Sequence, residues 1–156
     1  DAHNRWHPDL EPVATIRPGS EVTLDTRDGL DGQLTRTSVH ADCAALDLGL
    51  GHPLTGPIFV QGAEPGDVLE IHLVDFEAPD YGVNGVIPGF GFLADIFTEP
   101  FLVGWELDDA TARSSELPGV AVRACVHAGV IGVAPSHALM EAQRDVAGGL
   151  QLAAQF

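Results

Sequence analysis

The sequence predicts a mainly β chain, a β-sandwich or barrel-like domain with few short helices. Gly (18 residues) and Pro (11 residues) recur throughout the 156 residues, which is typical of short strands joined by turns. The segment Val68 to Asp75 alternates apolar and polar side chains, the period-two pattern of a half-buried strand. The length and the apolar fraction of 45% suit one ordinary globular domain, which we expect to cover residues 1–156.

Turn and capping signals place the elements along the chain. Residues 1–12 lack periodicity and are expected to form an ordered loop. The polar stretch 25–51 is expected to form a long loop, called the polar excursion, that extends from the β scaffold. The pairs Pro18-Gly19 and Pro65-Gly66 predict tight turns. Ser136 has the character of an N-cap for a helix that ends at Gly148-Gly149. Further strands are predicted at 14–17, 101–107 and 120–126.

The charge of the chain excludes two classes of partner. There are 23 acidic and 7 basic residues, for a formal net charge of -16. A surface of this sign repels phosphate backbones and anionic lipids, so we expect no nucleic-acid and no membrane binding. A salt-adapted or Lys-poor composition explains the acidic excess at least as well as a role in attracting cations does. The sequence has no apolar run near the length of a membrane span and no signal-peptide pattern, so a cytoplasmic location is predicted.

The two cysteines, Cys43 and Cys125, are far apart in sequence and form no disulfide framework. The simpler interpretation is two buried small apolar residues. The alternative is a catalytic thiolate at Cys125 with His127 as its base, which requires hydrogen-bond geometry that the sequence does not fix.

Four motifs, in order along the chain, resemble the acetamidase/formamidase family. They are His3-Asn-Arg-Trp-His-Pro-Asp9, His52-Pro-Leu-Thr-Gly-Pro-Ile58 leading to Gly62-Ala-Glu-Pro-Gly-Asp67, Pro88-Gly-Phe-Gly-Phe-Leu93 and His127-Ala-Gly-Val-Ile-Gly-Val-Ala-Pro-Ser136. The resemblance implies hydrolysis of a small linear or cyclic amide to ammonia or an amine and a carboxylate. It also implies that the chain is the N-terminal portion of a larger acetamidase/formamidase-like fold.

The sequence departs from the family in one respect. Family chains are longer, and their later motifs Gly-Gly-Asn-x-Asp, Asp-x-His and Gln-Gly-Asp-Gly-Glu are absent here. We expect a second chain to carry the C-terminal half in a homo- or hetero-oligomer; the alternative is a truncated fragment. The missing motifs also favour, as a rival function, a non-catalytic β-rich structural or binding subunit.

Amide hydrolysis requires an activated nucleophile, a stabiliser for the oxyanion and an acid for the leaving group. A divalent metal, with zinc as the leading example, would supply the first two, and its predicted ligands are His3, His7 and Asp28. The alternatives are that the histidines belong to a segment that plugs a neighbouring surface and that Asp28 lies on a solvated loop.

Other residues are candidates for catalysis and for substrate binding. The predicted catalytic residues are Glu64, Cys125 and His127, although Glu64 lies in a Pro-Gly turn and His127 suits a packing role equally well. Phe90 and Phe92 are predicted to line an apolar substrate pocket, with packing in the core as the alternative.

Overall fold

The structure is a computed structural model that describes residues 2–108 and 110–147. Its strands and helix occupy short stretches of the chain. They are β1 (Ala2–His3), β2 (Ala14–Ile16), β3 (Leu54–Thr55), β4 (Ile58–Val60), β5 (Tyr81–Val86), β6 (Phe101–Leu107), β7 (Thr111–Arg113), β8 (Ala121–Arg123) and α1 (His137–Ala147). Two 3₁₀ helices, His40–Ala45 and Leu48–Leu50, lie in the polar excursion. The prediction of a mainly β chain with few short helices is confirmed.

The chain divides into two compact units. Unit 1 comprises residues 1–31, 50–72 and 128–156, and unit 2 comprises residues 32–49 and 73–127. The single domain expected for residues 1–156 stays a prediction.

Unit 1 contains two small open sheets. Strands β1 and β3 are antiparallel, with His3 opposite Leu54, and β2 and β4 are parallel, with Thr15 opposite Phe59. The predicted Pro-Gly turn follows β2, where Ser20 N donates to Arg17 O at 3.1 Å and Gly19 has φ of 82°. A left-handed residue at this turn position suits glycine because it has no Cβ.

Unit 2 contains one antiparallel sheet in the order β5-β6-β7-β8. The long pairing runs from Tyr81 opposite Glu106 to Val86 opposite Phe101. The 3₁₀ helix His40–Ala45 packs against this pair and places Cys43 beneath it. Cys43 is fully buried, and its Sγ lies 3.7 Å from Phe101 O. Burial raises the pKa of the Cys43 thiol, with a smaller contribution from Asp42, so Cys43 is a packing residue as expected.

The predicted elements agree with the structure where the signal is local. Strand β6 has the predicted bounds, and Ser136 caps α1, since Leu139 N donates to Ser136 Oγ at 3.2 Å. The predicted helix end at Gly148-Gly149 lies outside the described residues. The strand predicted at residues 68–75 is wrong, because no described strand pairs with this stretch in a sheet and Val68 is 93% exposed.

Within residues 2–108 and 110–147, no helix is both long enough and apolar enough to cross a membrane.

Gly85 in β5 is expected to be intolerant of any side chain. A Cβ atom at this position would lie 2.9 Å from Cys43 Sγ and 3.4 Å from Phe101 O. We predict that Gly85→Ala lowers the free energy of unfolding by about 1–3 kcal/mol, the usual cost of overpacking. Chemical denaturation measures the free energy of unfolding of the wild type and the variant. Gly82→Ala in the same strand is the control, because its nearest contact would be an ordinary 3.6 Å to Leu107 Cδ1. Equal effects at the two positions would contradict the role assigned to Cys43.

Asp108 is expected to make the β6–β7 turn sensitive to acid. Its Oδ1 accepts hydrogen bonds from Ala110 N (2.9 Å) and Thr111 N (2.7 Å), which lower the pKa of the carboxyl group. A folded pKa below the unfolded one contributes stability above the unfolded pKa, about 3.9. That contribution is lost as the pH falls through the folded pKa. We therefore predict that the wild type loses more thermal stability between pH 6 and pH 3 than Asp108→Asn does. Thermal melts across this range measure it, with Asp95→Asn as control. Parallel profiles for the wild type and Asp108→Asn would contradict the prediction.

Candidate functional site

A small cavity in unit 1 is formed by three separate stretches of sequence. The pairing of β1 with β3 brings His3 and Asn4 beside Leu50 and Pro53. The turn of residues 27–31 is attached to the same region, because His52 N donates to Gly29 O at 2.8 Å and Thr55 Oγ1 donates to Asp25 O at 3.0 Å. The resulting cavity has a volume of about 160 Å³ and is lined by His3, Asn4, Arg27, Asp31, Leu50 and Pro53.

Arg27 and Asp31 form an ion pair at the wall of this cavity. Arg27 Nε lies 2.5 Å from Asp31 Oδ1, and the two side chains are 53% and 22% exposed. Asp31 Oδ1 is itself buried and has no hydrogen-bond partner among the described residues. The contact is therefore an ion pair without good hydrogen-bond geometry.

The backbone at this site adopts an unusual conformation. Among the described residues, the non-glycine residues with positive φ are Asp31 (59°) and His52 (55°). Asp, Asn and His enter the left-handed region more readily than other side chains. At Asp31 the turn is held by Asp28, whose backbone oxygen accepts from Asp31 N at 3.0 Å and whose Oδ1 accepts from Leu30 N at 2.9 Å. Backbone strain of this kind clusters at functional sites.

The described part of the chain does not bring the three predicted metal ligands together at the cavity. Across residues 2–108 and 110–147, no group of three His, Cys, Asp or Glu side chains could hold a metal ion. His3 lines the cavity, whereas His7 and Asp28 do not. The Nδ1 atoms of His3 and His7 accept backbone hydrogens from Arg5 (3.4 Å) and Asp9 (3.2 Å). Both contacts are local, between residues two apart in the sequence.

His7 instead belongs to a second polar group in unit 1. Its ring meets that of His137 edge to face, with centroids 5.8 Å apart. Asp9 contacts the second histidine of this group, because His137 Nε2 lies 2.9 Å from Asp9 Oδ1. These contacts attach the N-terminal motif to the first turn of α1.

Trp6 attaches the same motif by packing. A Cβ atom at Gly132 would lie 2.7 Å from Trp6 Cη2, so the indole ring rests directly on this glycine. The alternative considered for the opening motif, a segment that plugs a neighbouring surface, therefore holds for Trp6, while His3 and Asn4 line the cavity.

The predicted catalytic residues do not line this cavity. Glu64 is exposed in its turn, where Glu64 N donates to Asp67 Oδ2 at 2.9 Å and Asp67 N donates to Glu64 O at 3.0 Å. Cys125 is exposed and, with His127, follows β8 in unit 2. Their catalytic roles stay predictions.

The predicted substrate-binding residues lie on the surface of unit 2. Phe90 is 61% exposed and Phe92 is 106% exposed, and both lie in the loop between β5 and β6. Neither residue lines the cavity in unit 1. Neither lines a further cavity in unit 2, which is described next. Their role in substrate binding stays a prediction.

A cavity of about 220 Å³ lies in unit 2 beside Arg36, His40 and Tyr81. The Arg36 guanidinium pairs with Glu106 and, at 3.0 Å, with Asp80, and it lies 4.4 Å from the centre of the Tyr81 ring. The hydrogen bond with Glu106 raises the pKa of Arg36. His40 Nδ1 accepts from Leu102 N at 2.9 Å. These contacts hold the Arg36 side chain beside the cavity.

Asn4, Arg27 and Asp31 line the cavity but were not among the site residues predicted from the sequence. Two signals were available: Arg27 and Asp31 have the i, i+4 spacing of an ion pair, and the Asp-Gly dipeptide at Asp31 is typical of left-handed backbone. Their meeting with His3 depends on long-range contacts that no local pattern indicates.

This chain is similar to several proteins whose names denote amide hydrolases. The gamma lactamase from Delftia acidovorans superimposes with a TM-score of 0.89 at 34% identity, over 97% of this chain and 38% of that one. An acetamidase from Mycolicibacterium smegmatis is 35% identical over 151 residues, which is 88% of this chain and 37% of the relative. A formamidase from Methylophilus methylotrophus is 37% identical over 145 residues, which is 89% of this chain and 36% of the relative.

The chain thus spans little more than a third of the length of these relatives, in agreement with its interpretation as part of a larger fold. The acetamidase/formamidase family pattern matches residues 1–154. The match covers nearly all of the 156 residues, and the fold agrees with that of a solved relative. This chain belongs to the acetamidase/formamidase family.

Proposed function

We propose that this chain is part of an amidohydrolase that cleaves the C–N bond of a small linear or cyclic amide. Family membership supports amide hydrolysis, and the relatives named acetamidase, formamidase and gamma lactamase support a small substrate, open-chain or cyclic. The products are a carboxylate with ammonia, or with an amine when the amide is cyclic.

The observation that carries the proposal is the cavity of His3, Asn4, Arg27 and Asp31. A primary amide presents a carbonyl acceptor and an N–H donor, so its site requires donors and an acceptor close together. Arg27 and Asn4 supply donors, and the Asp31 carboxylate supplies an acceptor. At about 160 Å³ the cavity is far smaller than the several hundred Å³ typical of drug-sized ligands. It suits a substrate of a few heavy atoms.

In this proposal Arg27 binds the amide oxygen, and Asp31 orients Arg27 through its Nε. A guanidinium aimed at a carbonyl stabilises the negative charge that develops on oxygen as the carbonyl is attacked. The imidazole of His3 adds a further polar group to the same wall. Because Glu64, Cys125 and His127 do not line this cavity, the proposal assigns the attacking nucleophile and its base to polypeptide beyond this chain.

We predict that Arg27→Gln lowers kcat/KM at least about tenfold, which corresponds to about 1.4 kcal/mol of transition-state stabilisation. Asp31→Asn is expected to have a similar effect, since Asn keeps the left-handed backbone but removes the charge that orients Arg27. The measurement is ammonia release from formamide and acetamide, and ring opening of a small lactam, with copurifying chains retained. Arg17→Gln, an exposed arginine in the Pro-Gly turn, is the control.

Two results would contradict this proposal in different ways. Full activity of Arg27→Gln would remove the cavity as the amide site. No turnover of any amide by the wild-type assembly would favour the non-catalytic β-rich subunit instead.

Metal assistance stays a prediction. The described residues contain no group of three side chains that could hold a metal ion. The ligands of a zinc or other divalent ion would therefore have to include groups beyond them. We therefore predict less than one tightly bound divalent ion per ten chains when this chain is produced alone. Elemental analysis after dialysis measures the content. One zinc per isolated chain would contradict the absence of a three-ligand metal site among the described residues. Loss of activity of the native assembly on chelation would support a metal shared with other polypeptide.

A further inference from the structure

The loop between β5 and β6 presents an apolar surface. Its residues 90–97, called the apolar loop, hold five large apolar side chains that are each more than half exposed. They are Phe90 (61%), Phe92 (106%), Leu93 (54%), Ile96 (65%) and Phe97 (52%). Apolar residues exposed singly are ordinary on protein surfaces, but five within eight residues form a patch of the kind that marks an interaction site.

The apolar loop is held in shape by its own backbone. Phe90 N donates to Ile87 O at 3.0 Å, and the amides of Ile96 and Phe97 both donate to Leu93 O, at 3.0 Å and 2.9 Å. The loop begins and ends on the antiparallel pair β5–β6, at Val86 opposite Phe101. A patch that is already ordered binds a partner at lower entropic cost than a flexible segment does.

The family comparison indicates what covers the apolar loop. The solved gamma lactamase contains this fold as 38% of its chain, and the matched curated relatives are also nearly three times as long as the matching region. In the family, therefore, this fold is accompanied by a larger amount of further polypeptide. A second copy of this chain is a poorer partner, because two bodies with a net charge of -16 repel each other.

We propose that the apolar loop docks against the portion of the acetamidase/formamidase fold that this chain does not span. Phe92 is the central contact, since its side chain is fully exposed here and makes the least contribution to this chain's own packing. The proposal rests on family membership and on exposure. It does not depend on the amide activity, so its test can fail while the proposed function stands.

Thiol labelling tests the proposal on the protein in its native assembly. Phe92→Cys is compared with Ser115→Cys, an exposed position in the β7–β8 connection of the same unit, both in a Cys125→Ser background. Each variant is produced in its source organism and also as the isolated chain. We expect labelling at position 92 to be at least about tenfold slower in the native assembly than in the isolated chain, and labelling at position 115 to be little changed.

Three outcomes would overturn the proposal. Equal labelling rates at position 92 in both samples would show that nothing covers the apolar loop. Equal protection at positions 92 and 115 would show general occlusion of the unit. Protection in the isolated chain that grows with its concentration would assign the apolar loop to a second copy.

A charge substitution gives a second readout that does not require labelling. Phe92→Asp is expected to reduce copurification of the remaining family polypeptide at least about tenfold, since a carboxylate is costly to bury without a partner. Thr98→Asp adds the same charge just outside the apolar loop and is expected to leave copurification intact. Because Phe92 is fully exposed, the fold of the isolated Phe92→Asp chain should be unchanged by circular dichroism. Unchanged copurification of Phe92→Asp would overturn the proposal.

Discussion

The contact between Cys43 and Gly85 is the constraint on which unit 2 depends. The thiol is fully buried beneath a strand that must lack a Cβ to admit it, so the 3₁₀ helix and the β5–β6 pair fit together at a single position. The same device recurs at Gly104, where Tyr81 fills the space of the missing side chain, and at Gly132, on which Trp6 rests. Glycine therefore lets side chains meet backbone closely, and these contacts fix how the segments pack.

The cavity in unit 1 also depends on a small number of backbone contacts. Its walls come from β1, from the turn that ends at Asp31 and from residues 50–53, and single hydrogen bonds such as that of His52 N to Gly29 O attach them to one another. Asp31 combines two features of the site: its backbone is left-handed, and its carboxylate is paired with Arg27. A site of this kind is pre-organised, which lowers the cost of binding a very small ligand.

The buried apolar residues are few for a chain of this length. Among the residues whose burial the structure describes, those with less than a tenth of their surface exposed are Leu34, Cys43, Leu102, Val103 and Ala112, all in unit 2, whereas large apolar side chains are exposed in both units. Relatives nearly three times as long provide a physical reason, since strand and loop faces that are open here are available for the rest of the family fold to cover. The alternating segment from Val68 is an example: it has the pattern of a strand, but no strand within the described part of the chain pairs with it.

The sequence by itself determined the β-rich class, the family, the bounds of β6, the Pro-Gly turns and the Ser136 cap, because each depends on neighbouring residues or on a contiguous motif. It also predicted His3 as a metal ligand, and that role stays a prediction. Only the tertiary structure placed Arg27 and Asp31 beside His3, separated His7 and Asp28 from that cavity and exposed Phe92. The reason is physical: pairing between distant segments decides which side chains meet, and burial depends on what the surrounding polypeptide covers.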